Sequence, residues 1–430
     1  MQFSKLRRRT IKRAALYPYL ISSFFTKSET SAKSQSVGGR VVVIGGGFAG
    51  ATAAKYIKVW GPTIEVTMVE PDSQFVSCPM SNRVLSGVWN IGQLKKSYQF
   101  LNKRYGVKIC RDKALGIDPE KREIRLSEND LKLKYDRLIV ASGVQFTYDD
   151  IPSLKNASSR EAFPHAWKAG KQTVLLRQQL QSMRNGGVVV ITVPLAPYRC
   201  PPGPYERACQ IAYYLKNHKP RSKIIILDAN EGIQSKKKLF ETAWKEIYSD
   251  IIEYRPMTRI VDLNVSSKTL FSDFEDLTAD VVNIIPPQSA GNLAKDTGLV
   301  FGDGRWCDVD FLTYESKLVP NIHVIGDAIA ASPKMPKSGH MANQHAKVCA
   351  AAICALLGDR NINNNPMLSN TCYSFVDNLN VGHVAAVYAY NREKKQMEIV
   401  PGSSGNSFAN SGEKIFAESW AENIWADMLR

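Results

Sequence analysis

The chain has 430 residues, 44% hydrophobic and 22% charged, with a net charge of +16. That length and balance exclude a disordered chain and a small disulfide scaffold, and they supply apolar side chains for two or three domains with cores. The positive charge is uneven: residues 1–36 carry eight basic side chains against Glu29 alone, and no nucleic-acid motif accompanies the rest, so the basic body reads as a solvated surface.

In chain order, residues 1–36 read as a targeting segment. Leu6-Arg7-Arg8-Arg9-Thr10-Ile11-Lys12 precedes a moderately apolar run from Ala14 to Phe25 that is too short and interrupted to span a bilayer. The pattern resembles a twin-arginine export signal and implies a periplasmic protein; a disordered basic tail is the other reading. No later run is long and apolar enough for a membrane helix, so no stable membrane insertion is expected.

Arg40-Val41-Val42-Val43-Ile44 is a continuous apolar run, as a buried parallel strand requires. The loop Gly45-Gly46-Gly47-Phe48-Ala49-Gly50 follows, then helix-forming residues 51–58, then a second strand, 64–69, ending at Glu70. Glycines at 45, 47 and 50 allow a tight turn and close approach of backbone to a pyrophosphate, which the free N–H groups of the helix start can bind. Glu70 is placed to accept hydrogen bonds from an adenosine ribose. Strand, loop, helix, strand and acid in that order predict a dinucleotide half-site.

Two later segments point to FAD. Tyr135–Gly143, with Ala141-Ser142-Gly143, resembles a segment of two-dinucleotide flavoproteins. Asn321–Ala328 resembles their Gly-Asp box, which implies that Gly326 and Asp327 bind the ribityl or pyrophosphate part of FAD. A second domain begins with the strand 187–193, but a proline-rich stretch, Pro194 to Arg207, stands where a second glycine loop would be. Proline stiffens the turn and has no N–H to donate, so this domain is expected to have lost its nicotinamide nucleotide. Lys223–Asp228 continues it as a strand.

Eight cysteines are scattered along the chain, with no Cys-x-x-Cys pair and no Cys-x-x-Cys-His, so neither a metal site nor a haem is expected on this chain. Cys110, Cys209, Cys307, Cys349 and Cys354 read as small buried apolar residues.

From Gly39 to the C-terminus the chain resembles the flavoprotein subunit of flavocytochrome c sulfide dehydrogenase. The resemblance rests on Cys78-Pro79-Met80-Ser81-Asn82, Pro164–Gly170, Tyr198–Ala208, Met335-Pro336-Lys337-Ser338-Gly339 and Asn370-Thr371-Cys372-Tyr373-Ser374. It implies FAD joined as a thioether to Cys78, a redox disulfide between Cys200 and Cys372, and Glu206 as an acid beside that disulfide and a candidate proton acceptor. Glu206 has a second reading, as a first-turn acid that complements the helix dipole. Lys337 and the amides at the start of helix 338–357 are candidates to stabilise negative charge on reduced flavin. The implied activity is oxidation of sulfide to sulfur or polysulfide through the disulfide and FAD, with electrons passed to a c-type cytochrome subunit on a separate polypeptide. The rival readings are a flavoprotein that reactivates sulfur-carrier proteins, a quinone-linked sulfide oxidoreductase, and a non-catalytic electron-transfer subunit.

The expected architecture is α/β: two Rossmann-like dinucleotide-binding domains of glutathione-reductase type and a smaller C-terminal α+β domain. The expected boundaries are 37–153 and 293–363 for the discontinuous FAD domain, 154–292 for the vestigial second domain, and 364–430 for the C-terminal domain.

Overall fold

The computed structural model describes residues 38–128, 131–301, 304–332 and 334–430. The expected export segment, 1–36, lies outside the described residues. Arg40–Ile44 (β1) is buried at every position after the first, as its unbroken apolar run requires. Phe48–Trp60 (α1), Glu65–Val69 (β2), Asn82–Leu85 (α2), Lys108–Cys110 (β3) and Arg137–Val140 (β4) follow. The middle of the chain contributes Val188–Val193 (β5), Gly203–His218 (α3), Lys223–Asp228 (β6), Lys237–Ile247 (α4), Ile252–Arg255 (β7) and Val281–Ile284 (β8). The last part supplies Ile322–Val324 (β9), Gly339–Leu357 (α5), Met367–Phe375 (β10), Val381–Asn391 (β11), Gln396–Ile399 (β12) and Glu413–Leu429 (α6).

The first sheet is parallel, in the order β9-β4-β1-β2-β3. Chain connections leave β1 in opposite directions, and a crevice opens at its carboxyl end, the usual ligand position in such sheets. The second sheet is also parallel, β7-β6-β5-β8. The third is antiparallel, β10-β11-β12, with a nine-residue register between β10 and β11. Strands of the three sheets come from 40–140 with 322–324, from 188–284, and from 367–399 respectively.

The C-terminal region has little core of its own: Phe375, Val381 and Ala417 form one small cluster. Other apolar side chains of the region, among them Leu368, Tyr388, Met397 and Trp425, pack into the core of the first sheet with Ile353 and Ile57. This docking carries β10, and Cys372 on it, to the carboxyl end of β1. Among the described residues no helix is long and apolar enough to cross a membrane.

Candidate active site

A cavity of about 520 Å³ opens at the carboxyl end of β1 and receives residues from the first and third sheets and from the loop and helix that follow β5. Gly45, Gly47, Phe48 and Ala49 form one wall. Gly45 has φ 100°, and a Cβ there would lie 2.5 Å from the Ala141 oxygen, so only glycine lets β1 and β4 close on each other. Gly50 is not on the wall; a Cβ there would lie 1.8 Å from the Gly45 oxygen, so this glycine serves the packing of α1 against its own loop. At Gly47 a Cβ would meet nothing within 4 Å. Gly47 is also the N-cap of α1, whose first turn has neither an acidic residue nor a side-chain cap, leaving its amides for a ligand.

Glu70, at the end of β2, accepts the Gly46 N–H at 2.7 Å through one oxygen and the Asp72 N–H at 2.8 Å through the other. It holds the glycine loop as well as facing the cavity. Ala141 and Gly143 follow β4 on the wall, and Gly326 and Asp327 follow β9. Burial pushes the Asp327 carboxyl up, against the pull of Arg199 and Lys337. Free helix amides, an acid at the end of β2 and a buried carboxyl across the cleft fit FAD. Cys78 is on the same wall, where its sulfur accepts the Ala169 N–H at 3.5 Å.

Lys337 is placed differently from the expectation. Its ammonium does not reach the cavity: it donates to the carbonyls of Asp327, at 3.0 Å, and Ile329, and stacks 3.6 Å from the centre of the Trp306 ring. Burial pushes it down to about 8. The charge is spent on fixing the Asp327 turn, and what faces the cavity side is backbone: the Lys337 carbonyl accepts the Cys200 N–H at 2.8 Å.

Cys200 and Cys372, 172 residues apart, line this one cavity, and both are free cysteines. The stretch 194–202 does not turn directly into a helix as the loop after β1 does. It crosses to the first domain, where Cys200 takes up a left-handed conformation, φ 60°. The start of α3 therefore meets the cavity beside Cys200. Burial pushes the Cys200 thiol up, reinforced by the charges of Cys372 and Glu206 and opposed by Lys236 and Arg199. Cys372 is on β10; the Asn370 amide donates to its sulfur at 3.4 Å. Glu206 also lines the cavity, with both carboxylate oxygens engaged: Asn82 Nδ2 donates at 2.8 Å and the Phe375 N–H at 3.0 Å. Burial pushes its carboxyl up.

Three residues of this site were assigned no role from sequence. The one sequence signal for Asn82 and Arg207 is their place within Cys78–Asn82 and Tyr198–Ala208. Arg207 is buried, and its guanidinium donates to Asn82 Oδ1, the His165 and Ala166 carbonyls and Asn283 Oδ1 at 2.6–3.1 Å. Burial pushes it down to about 9. The third, Lys236, donates from Nζ to the Cys372 carbonyl at 2.8 Å and to Ser374 Oγ at 2.6 Å. It sits in a run of three lysines that reads as ordinary surface charge.

A second cavity, about 460 Å³, lies at the carboxyl ends of β5, β6 and β8. Pro194 and Leu195 stand on its wall where a nucleotide domain would present glycine amides.

Comparison with known proteins gives three family matches. A model described as the central part of the sulfide dehydrogenase [flavocytochrome c] flavoprotein chain matches residues 173–286. One described as flavocytochrome c sulphide dehydrogenase, flavin-binding, matches 364–429, and one for pyridine nucleotide-disulphide oxidoreductases matches 39–190. The sulfide dehydrogenase [flavocytochrome c] flavoprotein chain of Chlorobaculum thiosulfatiphilum is 60% identical over 45 residues, which is 10% of this chain and 94% of that sequence. The mitochondrial sulfide:quinone oxidoreductase of Mus musculus is 26% identical over 308 residues, 67% of this chain and 65% of that one. Among solved structures, the sulfide:quinone oxidoreductase of Aquifex aeolicus superposes with a TM-score of 0.74 at 18% identity, covering 90% of this chain and 91% of that one. That likeness establishes the two-dinucleotide-domain flavoprotein fold.

Proposed function

Because the chain belongs to the family of flavocytochrome c sulfide dehydrogenase flavoprotein chains, we propose that it oxidises sulfide at Cys200 and Cys372 and passes the electrons through FAD to a c-type cytochrome on a separate polypeptide. One observation carries this reading: two cysteines from different domains and a buried-side glutamate share the wall of the cavity that fits FAD. The two cysteines cycle between dithiol and disulfide. Hydrosulfide attacks one sulfur of the disulfide; the S–S bond breaks, a persulfide forms on one cysteine and the other leaves as thiolate. Glu206, whose carboxyl burial pushes up, accepts a proton at this step. Bound FAD supplies a two-electron acceptor that can release electrons singly.

Anaerobic addition of sulfide tests the reading. Flavin absorption is expected to bleach in the wild type and to persist in Cys200→Ser and Cys372→Ser, both of which retain FAD. Bleaching at the wild-type rate in either variant would falsify the cysteine mechanism.

Cys78 is proposed to hold FAD covalently. Acid precipitation should leave flavin with the wild-type polypeptide and release it from Cys78→Ala. Localisation outside the cytoplasm is proposed on residues 1–36 alone. The acceptor is where the relatives divide, since sulfide:quinone oxidoreductases also match. Comparing cytochrome c with a soluble quinone as acceptor decides it, and faster turnover with the quinone would sink the cytochrome assignment.

A further inference from the structure

Lys236, Lys237 and Lys238 stand together at the start of α4, and only the first is turned inside. Lys237 and Lys238 are exposed, whereas Lys236 is 9% exposed. Lys236 adopts φ 57° and ψ 38°, a left-handed backbone that L side chains rarely take. A strained backbone at a buried cation draws attention to what the cation does. Both of its described hydrogen bonds go to neutral acceptors on β10, the Cys372 carbonyl and the fully buried Ser374 hydroxyl. Burial pushes the Lys236 ammonium down from its ordinary range. The groups that oppose this are Cys372 on β10, Glu206 on α3, Cys200 on the loop before it and, last, Glu413 at the start of α6. Glu413 is already engaged with His383 at 2.8 Å. The other three are the two cysteines, one of which the proposed reaction turns into a thiolate, and Glu206, which is an anion before it accepts its proton.

We propose that Lys236 is a positioning residue for the cysteine pair: its hydrogen bonds fix the β10 segment that bears Cys372, and its ammonium is the fixed charge that balances one anion on Cys200, Cys372 or Glu206. The proposal rests on the cysteine chemistry above. It explains why a cation is kept buried with neutral partners: a permanent carboxylate partner would cancel the field that the cysteines need. It also separates charge from tethering, because glutamine at this position keeps a donor for β10 and loses the charge, while arginine keeps the charge.

The test uses the full FAD-loaded protein, with cysteines reduced by a phosphine and alkylated with iodoacetamide over a pH series. Modified Cys200 and Cys372 peptides are quantified by mass spectrometry. Lys236→Gln is expected to slow alkylation of the pair by ~tenfold near neutral pH, equivalent to about one pKa unit, with the midpoint moved to higher pH. Lys236→Arg is expected to restore the wild-type profile. Flavin content and bleaching by dithionite are expected to match wild type in both. A wild-type alkylation profile in Lys236→Gln overturns the charge role and leaves a tether. An equal slowing in both variants overturns it too, since charge was kept in one. If sulfide fails to bleach even the wild type, the parent reading fails, and the alkylation profile still decides on Lys236.

Discussion

The carboxylate of Glu206 accepts the backbone N–H of Phe375 at 3.0 Å, and this bond joins the first turn of α3 to the last residue of β10. Cys200 lies just before that turn and Cys372 just before that strand end. The second carboxylate oxygen takes the Asn82 amide, so α2, a short distance after Cys78, enters the same clamp. One acid side chain thus bonds to the second domain's neighbours on both sides, the C-terminal sheet and the flavin-binding domain. The dipole of α3 accounts for an acid in its first turn, but it does not account for the bond to β10.

The pH dependence of Glu206 follows from its burial. Its carboxyl is pushed up by desolvation, while the two donors and the charges of Lys236 and Arg83 pull it down. A proton acceptor works only when deprotonated, so the rate should rise with pH through a limb above the ordinary carboxylate range. Glu206→Gln should lack that limb and bleach with sulfide about 10²-fold more slowly. Glutamine also presents an NH₂ group to one of the two donors, which weakens the clamp. Stopped-flow bleaching across pH reads both effects. A Gln variant that kept the acidic limb would remove Glu206 from proton transfer.

At Gly50 the prediction is structural. The atom a Cβ would meet, at 1.8 Å, is the backbone oxygen of Gly45, which no rotamer change can move aside. Gly50→Ala should force α1 away from β1, cost about 1–3 kcal/mol of stability, and yield protein without stoichiometric flavin. Gly47→Ala is the control, because its Cβ meets no protein atom within 4 Å. It should keep the melting temperature and lose flavin only in so far as the methyl group enters the phosphate space. Thermal melts and flavin absorbance of the two purified variants make the comparison.

Much of the fold was legible because it is local. The apolar runs at 40–44, 188–193 and 223–228 form strands, and the glycine loop between β1 and α1 was legible from its local spacing although the distant Glu70 and Ala141 hold it. The cysteine pair was legible only by resemblance, since nothing in spacing brings residues 200 and 372 together. Lys337 shows the limit of reading a motif by charge: its ammonium is turned to carbonyls of its own neighbourhood, a choice made by the Trp306 ring and the turn after β9. Lys236 shows the converse. Three consecutive lysines look alike in sequence, and what distinguishes the first is a backbone dihedral and its burial with hydrogen bonds to β10.

His345 provides a test of the fold apart from the site. It lies on α5, 3% exposed, with its ring 4.8 Å from that of Tyr314. Neither ring nitrogen has a hydrogen-bond partner among the described residues. Burial pushes the imidazole down from 6.5 to about 3. The folded state therefore holds it neutral where the unfolded state protonates it. Between about pH 3 and 6.5 the unfolded chain binds the extra proton, so stability rises with pH across that window and is lost on acidification through it. From pH 7 to pH 5 this one group should cost about 2 kcal/mol. His345→Phe keeps a flat ring against Tyr314 and cannot titrate. The expected result, from urea unfolding at the two pH values, is that the variant loses about 2 kcal/mol less than wild type on acidification. An equal loss in both proteins would show that this imidazole is not held neutral in the core.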